Sequence, residues 1–185
     1  MALPSSYQTP AQLLLDQVAH DLGKQTGDDI DTKLFRQHRD LRFSKDKTPY
    51  NTHLHMLWSR RAGARQDIGY FFGIAPGYVS AGVGLLAFDK PVLRDWRAAI
   101  DGPYGDQISE TIATAQDQGA TLRDPDLKRV PPPYSSDHRH STLLRRKGLS
   151  LWQELDEKDY TDPAKALHRS FALFAPVIKL LSKLL

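Results

Sequence analysis

The sequence predicts an α+β domain, with a mainly antiparallel sheet and helices packed largely on one side. Three observations predict it. An alternating stretch at 52–58, a β-former-rich stretch at 70–74 and a further strand-like stretch at 78–86 succeed one another. Polar or Pro-Gly links join them, the pattern of an antiparallel meander. Apolar residues at helical spacing occur before and after these stretches. The chain, 185 residues long without internal repeats or low-complexity tracts, is one domain spanning 1–185, large enough to bury a core without staples.

Taken in order, Thr9-Pro10-Ala11-Gln12 reads as a helix start, with Thr9 able to cap and Pro10 suited to the first helical position. Leu14, Leu15, Val18 and Leu22 recur at helical spacing, and Gly23 is the expected stop. Residues 24–32 read as a polar turn. Leu34 to His38 then fit a strand that puts Leu34, Arg36 and His38 on one face. In the next strand Thr52, Leu54, Met56 and Trp58 alternate with His53, His55 and Leu57, and the Trp58 set is expected to be buried. Residues 59–67 read as a polar loop, 70–74 as a third strand, 75–77 as a turn and 78–86 as a fourth strand. Gly82 and Gly84 share a face of that strand, where the expected role is close packing; the third glycine of a dinucleotide fingerprint is absent.

Asp89-Lys90-Pro91 opens a helix with Leu93, Trp96 and Ile100 on one face, broken by Gly102-Pro103. A second helix over 106–118 turns Ile108, Ile112 and Ala115 inward and ends at Gly119. A short strand is expected at 127–130, an extended segment at Pro131-Pro132-Pro133, and a helix from Ser136-Asp137 through Lys147. Residues 149–155 alternate as a fifth strand. Asp162-Pro163 starts the last helix, which Pro176 should kink.

Composition narrows the function. There is no cysteine, so disulfides and thiolate chemistry are excluded. The N-terminus lacks a basic region followed by an apolar run, and no stretch approaches the ~20 apolar residues of a membrane span. A soluble, cytoplasmic protein without membrane association is expected. The net charge of +3 is modest, and no RNA- or DNA-binding signature is present, so nucleic acid is a possible partner but not the favoured one.

Charge is concentrated in one stretch. Lys33, Arg36, Arg39, Arg42, Lys45 and Lys47 face only Asp40 and Asp46, which gives residues 33–47 a net +4. A concentrated patch attracts anions, and Arg suits planar oxyanions. The candidate ligand-binding set is Arg36, Arg39, Arg42, Ser44, Lys45, Asp46, Lys47 and Tyr50, with Lys147 from the Arg145-Arg146-Lys147 run as a second wall if the fold joins them. Asp46 could orient a cation or act as a base. Structurally, Asp40 and Asp46 could instead pair with Arg39 and Arg42 and pin the loop.

Other constellations are weaker. His53-x-His55, with His38 and Asp46, has the residue types of a metal site, but polar-face histidines explain the pair, and neither metal nor cofactor is expected. Asp137-His138-Arg139-His140 reads as a capped helix start. Ser44-Lys45-Asp46-Lys47 has a Ser-x-x-Lys spacing, but Pro49 and the turn composition oppose the helical turn that chemistry needs. No catalytic residue is assigned.

The string Arg39-Asp40-Leu41-Arg42-Phe43-Ser44-Lys45-Asp46-Lys47-Thr48-Pro49-Tyr50 resembles the signature of domain-of-unknown-function family 2461. Residues 70–84 (YFFGIAPGYVSAGVG), 92–100 (VLRDWRAAI) and 127–149 (LKRVPPPYSSDHRHSTLLRRKGL) are similar to the same family, so the resemblance covers most of the chain. It implies no particular activity. It does imply a preceding helical segment with an Asn and a Trp-Phe pair, which this sequence lacks; any site wall supplied by that segment is expected to be missing or replaced.

Three functional readings follow. The first is a site for a small phosphate- or carboxylate-bearing ligand at residues 36–50, with enzymatic activity left open. The second is a nucleic-acid- or protein-binding module using the same basic face, with Phe43, Tyr50 and Trp58 for stacking. The third is a structural or regulatory domain without a ligand. The first is preferred, and the oligomeric state is unassigned.

Overall fold

A computed structural model describes residues 5–35, 52–60 and 65–184. Helix α1, Ser5–Thr26, starts before Thr9 and carries Pro10 inside it. A proline removes the bond its own N–H would make and crowds the carbonyl one turn back, yet the helix continues across Pro10. Ala11, Leu15, Val18 and Leu22 form its buried seam. It runs past Gly23 to Gly27, whose φ of +74° ends it, and the Gly27 N–H donates to the Gly23 carbonyl at 2.8 Å.

The chain then enters the sheet earlier than expected. Strand β1, Asp31–Leu34, pairs with β2, Leu54–Arg60, and the Phe35 N–H adds one more bond to the His55 carbonyl at 3.0 Å. The remainder of the predicted 34–38 strand lies outside the described residues. Strands β3, Ile68–Ala75, and β4, Tyr78–Leu85, form a hairpin closed by Pro76-Gly77, with Gly77 at φ +95°. Pro sets φ for the first turn position and Gly accepts the positive φ of the second.

Helices α2, Lys90–Asp101, and α3, Gly105–Asp117, follow as expected. Val92 joins Trp96 and Ile100 in the buried set of α2, while Leu93 is only partly buried.

The segment between α3 and the last strand departs most from expectation. The edge strand is β5, Thr121–Leu122, and it pairs with β6, Leu149–Glu154. Residues 127–130 form no ladder, although the Leu127 N–H donates to the Arg145 carbonyl at 3.0 Å. The three prolines do not extend; they bend, with the Tyr134 N–H bonded to the Pro131 carbonyl at 3.2 Å. Proline fixes φ but leaves ψ free to close a turn.

Of the helix predicted over 136–147 only one turn forms, α4, Ser141–Leu144. Local bonds take its place: Ser136 Oγ donates to Asp137 at 2.5 Å, and His138 Nδ1 accepts the His140 N–H at 3.0 Å. Such side-chain bonds compete with helical ones.

After a 3₁₀ turn at Glu157–Thr161, the predicted final helix is two helices, α5, Pro163–Leu173, and α6, Ala175–Leu184. Pro176 sits in the first turn of α6, where its missing N–H has no helical partner to lose. The chain therefore breaks at buried Phe174 rather than bending there.

The strand order is β1-β2-β3-β4-β6-β5, antiparallel throughout. Met56, Trp58, Ile68, Tyr70, Phe72, Val79, Ala81, Val83, Leu149 and Leu151 make one face of the sheet, and all are buried. The α1, α5 and α6 helices pack against that face, with α2 and α3 beyond them. Trp58 anchors the layer, donating its indole N–H to the Leu15 carbonyl at 2.8 Å and meeting Phe171 edge-on. The α+β architecture with helices on one side is the one the sequence predicts. Among the described residues no helix is long and apolar enough to cross a membrane.

Candidate functional site on the open face of the sheet

Strand alternation assigns the other face. Reading across β2, β3, β4 and β6, one row is His55, Gly73, Ser80 and Glu154. The next is Leu57, Phe71, Gly82 and Trp152, with Thr121 beside Trp152 on the edge strand. These rows floor a groove of about 600 Å³, completed by Phe35, Tyr78, Leu86 and Arg123. Its size is in the range of small-molecule sites.

Glycines shape that floor. A Cβ on Gly82 would lie 2.5 Å from Trp152 Cε3, and one on Gly69 would lie 2.5 Å from Phe71 Cζ. A Cβ on Gly73 would meet His55 at 3.0 Å and Tyr78 at 3.4 Å. Each of these glycines therefore has an aromatic side chain laid over it. The Phe71 and Trp152 rings lie nearly parallel, 29° apart with centroids 5.4 Å apart. Over Gly73, His55 Nε2 and Tyr78 Oη share a 2.9 Å hydrogen bond.

The electrostatics follow from position. His55 is pushed below the ordinary histidine value, first by burial and then by the stacked His53 ring. It is accordingly a neutral hydrogen-bonding group at neutral pH. Arg123 reaches over Trp152 at 5.3 Å, and Lys33 lies over Phe35 at 4.7 Å, so a cation stands at each side of the groove. Glu154 also lines it, four residues along β6 from Ser150, roughly 13 Å by strand rise. The groove thus has a cationic end near Arg123 and both signs, Lys33 and Glu154, towards the His55 end.

The sequence-predicted set meets this site only by connectivity. Arg36, Arg39, Arg42, Ser44, Lys45, Asp46, Lys47 and Tyr50 lie outside the described residues. Phe35, the described residue before them, lines the groove, and β2 re-enters the sheet with Leu54 and the groove residue His55. Lys147 is described: it is exposed, its N–H donates to Asp126 at 2.6 Å, and it precedes the Leu149 end of β6. Phe35 is at the His55 end, so the two stand at opposite ends of the strands.

Arg146 is buried, and burial lowers its pKa against the pull of Asp126 and Asp124. It donates Nη1 to the Arg123 carbonyl at 2.7 Å, so it holds the backbone of the groove's cation.

The predicted His138 and His140 cluster does other work. His140 Nε2 bonds Asp106 at 2.9 Å, and His138 Nε2 approaches Asp101 at 3.4 Å, fixing residues 135–140 to the α2–α3 corner. Among the described residues no group of three or more His, Asp or Glu is placed to hold a metal.

A second recess, about 540 Å³, lies on the helical side between α1, α5 and α6. Its Arg60 already pairs with Asp28 at 2.6 Å. Burial raises the Tyr70 hydroxyl there, with Arg60 acting the other way.

Sequence reasoning missed Arg123, Phe71, Trp152 and Tyr78 as a unit. The available signal was the alternation that sets Phe71 and Trp152 opposite to Tyr70, Phe72 and Leu151, beside glycines.

Fold and site together define an α+β protein whose antiparallel sheet is covered by helices on one face and carries a ligand-sized aromatic groove on the other. The chain belongs to the family described as conserved hypothetical protein (DUF2461), whose model matches residues 5–180. No curated protein and no solved structure matches it.

Proposed function

We propose that this protein binds a small anionic molecule, bearing phosphate or carboxylate, in the open-face groove and in the cytoplasm. In this reading the candidate donors are Arg36, Arg39, Arg42, Lys45, Lys47 and Tyr50, in the segment that follows Phe35, together with the cation Arg123 in the groove. The observation that carries this reading is connectivity. The segment with the chain's densest positive charge leaves the described fold at Phe35, a groove residue, and rejoins it just before His55, another. Support also comes from Arg123, which faces no carboxylate within ion-pair distance among the described residues. The nucleic-acid alternative loses one of its stacking residues, because Trp58 is fully buried.

A thermal-shift screen of the full chain tests the reading, with phosphates, nucleotides, dicarboxylates and short oligonucleotides at two salt concentrations. A small anion at 100 times its Kd adds about 2.7 kcal/mol, a rise of roughly 5–10 °C for a chain of this size. Both Arg42→Ala and Arg123→Ala should abolish the rise while leaving the unliganded protein folded. Stabilisation by oligonucleotides alone, with a steep salt dependence, would transfer the assignment to a nucleic-acid module. Retention of the full shift in both variants would remove the site from this groove.

A further inference from the structure

We infer that the ligand of the groove carries a flat aromatic ring, which stacks on the platform made by Trp152 and Phe71 while its anionic group is held by Arg123. This rests on the small-anion reading above and specifies the ligand's class.

The argument begins with the glycines. Two neighbouring strands place Gly69 and Gly82 where any Cβ would enter the Phe71 or Trp152 ring. Their absence of side chains lets both rings lie down over the sheet. A ring standing away from the sheet offers its edge to a ligand; a ring lying on it offers its face. Phe71 and Trp152 are half-buried, so one side of each is covered and the other is turned to the groove. With centroids 5.4 Å apart and 29° between their planes, they are offset-stacked on each other and present a stepped aromatic surface.

Ring faces carry negative quadrupole charge, which attracts cations and favours offset stacking of other rings. Arg123 shows the first preference by lying over Trp152. It is exposed, and its backbone rather than its side chain is held by a hydrogen bond, so its guanidinium can leave the Trp152 face to follow an anionic group while that face takes the ligand's body. Neutral His55 and Tyr78 lie farther along the floor and add hydrogen bonds without adding charge. The chemistry that fits is a planar ring with one anionic group, from either of two sources: an aryl carboxylate or a nucleoside monophosphate.

Calorimetry on the full chain with matched pairs tests this. Benzoate against cyclohexanecarboxylate changes flatness at constant charge, and adenosine monophosphate against ribose 5-phosphate adds or removes the ring. At least one flat member should bind about tenfold or more tightly than its partner. Trp152→Leu should erase that margin and Trp152→Phe should keep most of it. Phe71→Leu provides the same test if Trp152→Leu does not fold.

Which pair shows the margin identifies the source. Equal affinity within both pairs, or a margin that survives the loss of either ring, overturns the inference. In that event Arg123-dependent binding of the non-aromatic anions would leave the anion reading standing. Adenosine binding as tightly as its monophosphate would do the reverse, keeping the ring platform and removing the anion.

Discussion

Gly84 shows how much one missing side chain can decide. Its φ is +128°, and a Cβ there would stand 2.0 Å from the Leu149 carbonyl oxygen. Backbone strain and a collision with main chain cannot be relieved by rotating a neighbour. Gly84→Ala should therefore destabilise by about 3–5 kcal/mol, read as a lower urea midpoint. At Gly82 the obstacle is a side chain, Trp152, which can move. His55 gives a pH prediction on the same scale. Its pKa is lowered in the fold from an ordinary 6.5, so below that value the unfolded chain takes up more protons than the folded one. Its contribution is complete above 6.5 and falls as the pH drops towards the folded value. Melting temperatures across about pH 5–8 should show a shallower acid-side loss in His55→Gln, which keeps a polar group for Tyr78. An unchanged slope would mean that His55 does not titrate differently on folding.

Arg146 belongs to the scale of elements, because it ties the strap after β5 to the chain before β6. Its Nη1 holds the Arg123 carbonyl, while its Nε has no partner among the described residues. Arg146→Met removes one good bond and one unsatisfied buried group together. Stability should change by no more than about 1 kcal/mol, while affinity for the anion falls several-fold as Arg123 loses its fixed backbone. A drop in stability without any drop in affinity would make Arg146 purely structural. This strap also marks where the sequence was hardest to read. Strands β2 and β6 were legible because alternation is local: Met56 and Trp58 against His55 and Leu57 needs no knowledge of partners, and β3 was legible from its run of β-forming residues. Residues 120–147 were not, because their course depends on bonds to distant backbone, Leu127 to Arg145 and Arg146 to Arg123, and on a sheet edge that local pattern does not reveal. Pro176 was visible as an interruption, but whether a helix bends or divides depends on what Phe174 packs into.

For the whole molecule, the basic segment and the groove that the proposal joins were unequally legible. The positive charge of residues 33–47 is a contiguous feature and stands out in any count. The groove is assembled from Phe35, His55, Phe71, Tyr78, Arg123 and Trp152, which only the strand order brings together. Its best sequence trace was the pairing of glycines with rings across strands whose register was still unknown. The fold also separates the two faces: helices and the large aromatic core occupy one side of the sheet, leaving the groove on the other. The His138 and His140 contacts with Asp101 and Asp106 hold a long excursion of chain against the α2–α3 corner.

The insertion of β6 beside β4 has a consequence in time. The β3–β4 hairpin closes over two residues, whereas the nearest pair between β4 and β6, Leu85 with Leu149, encloses about 60. Closing a loop of that length costs roughly 3–4 kcal/mol of chain entropy before any contact compensates. The amino-terminal meander can zip early, and β6 must arrive late. Trp152 rides on β6, so the groove has no far wall until that docking step, and a chain emerging from the ribosome lacks a complete groove until β6 has been made.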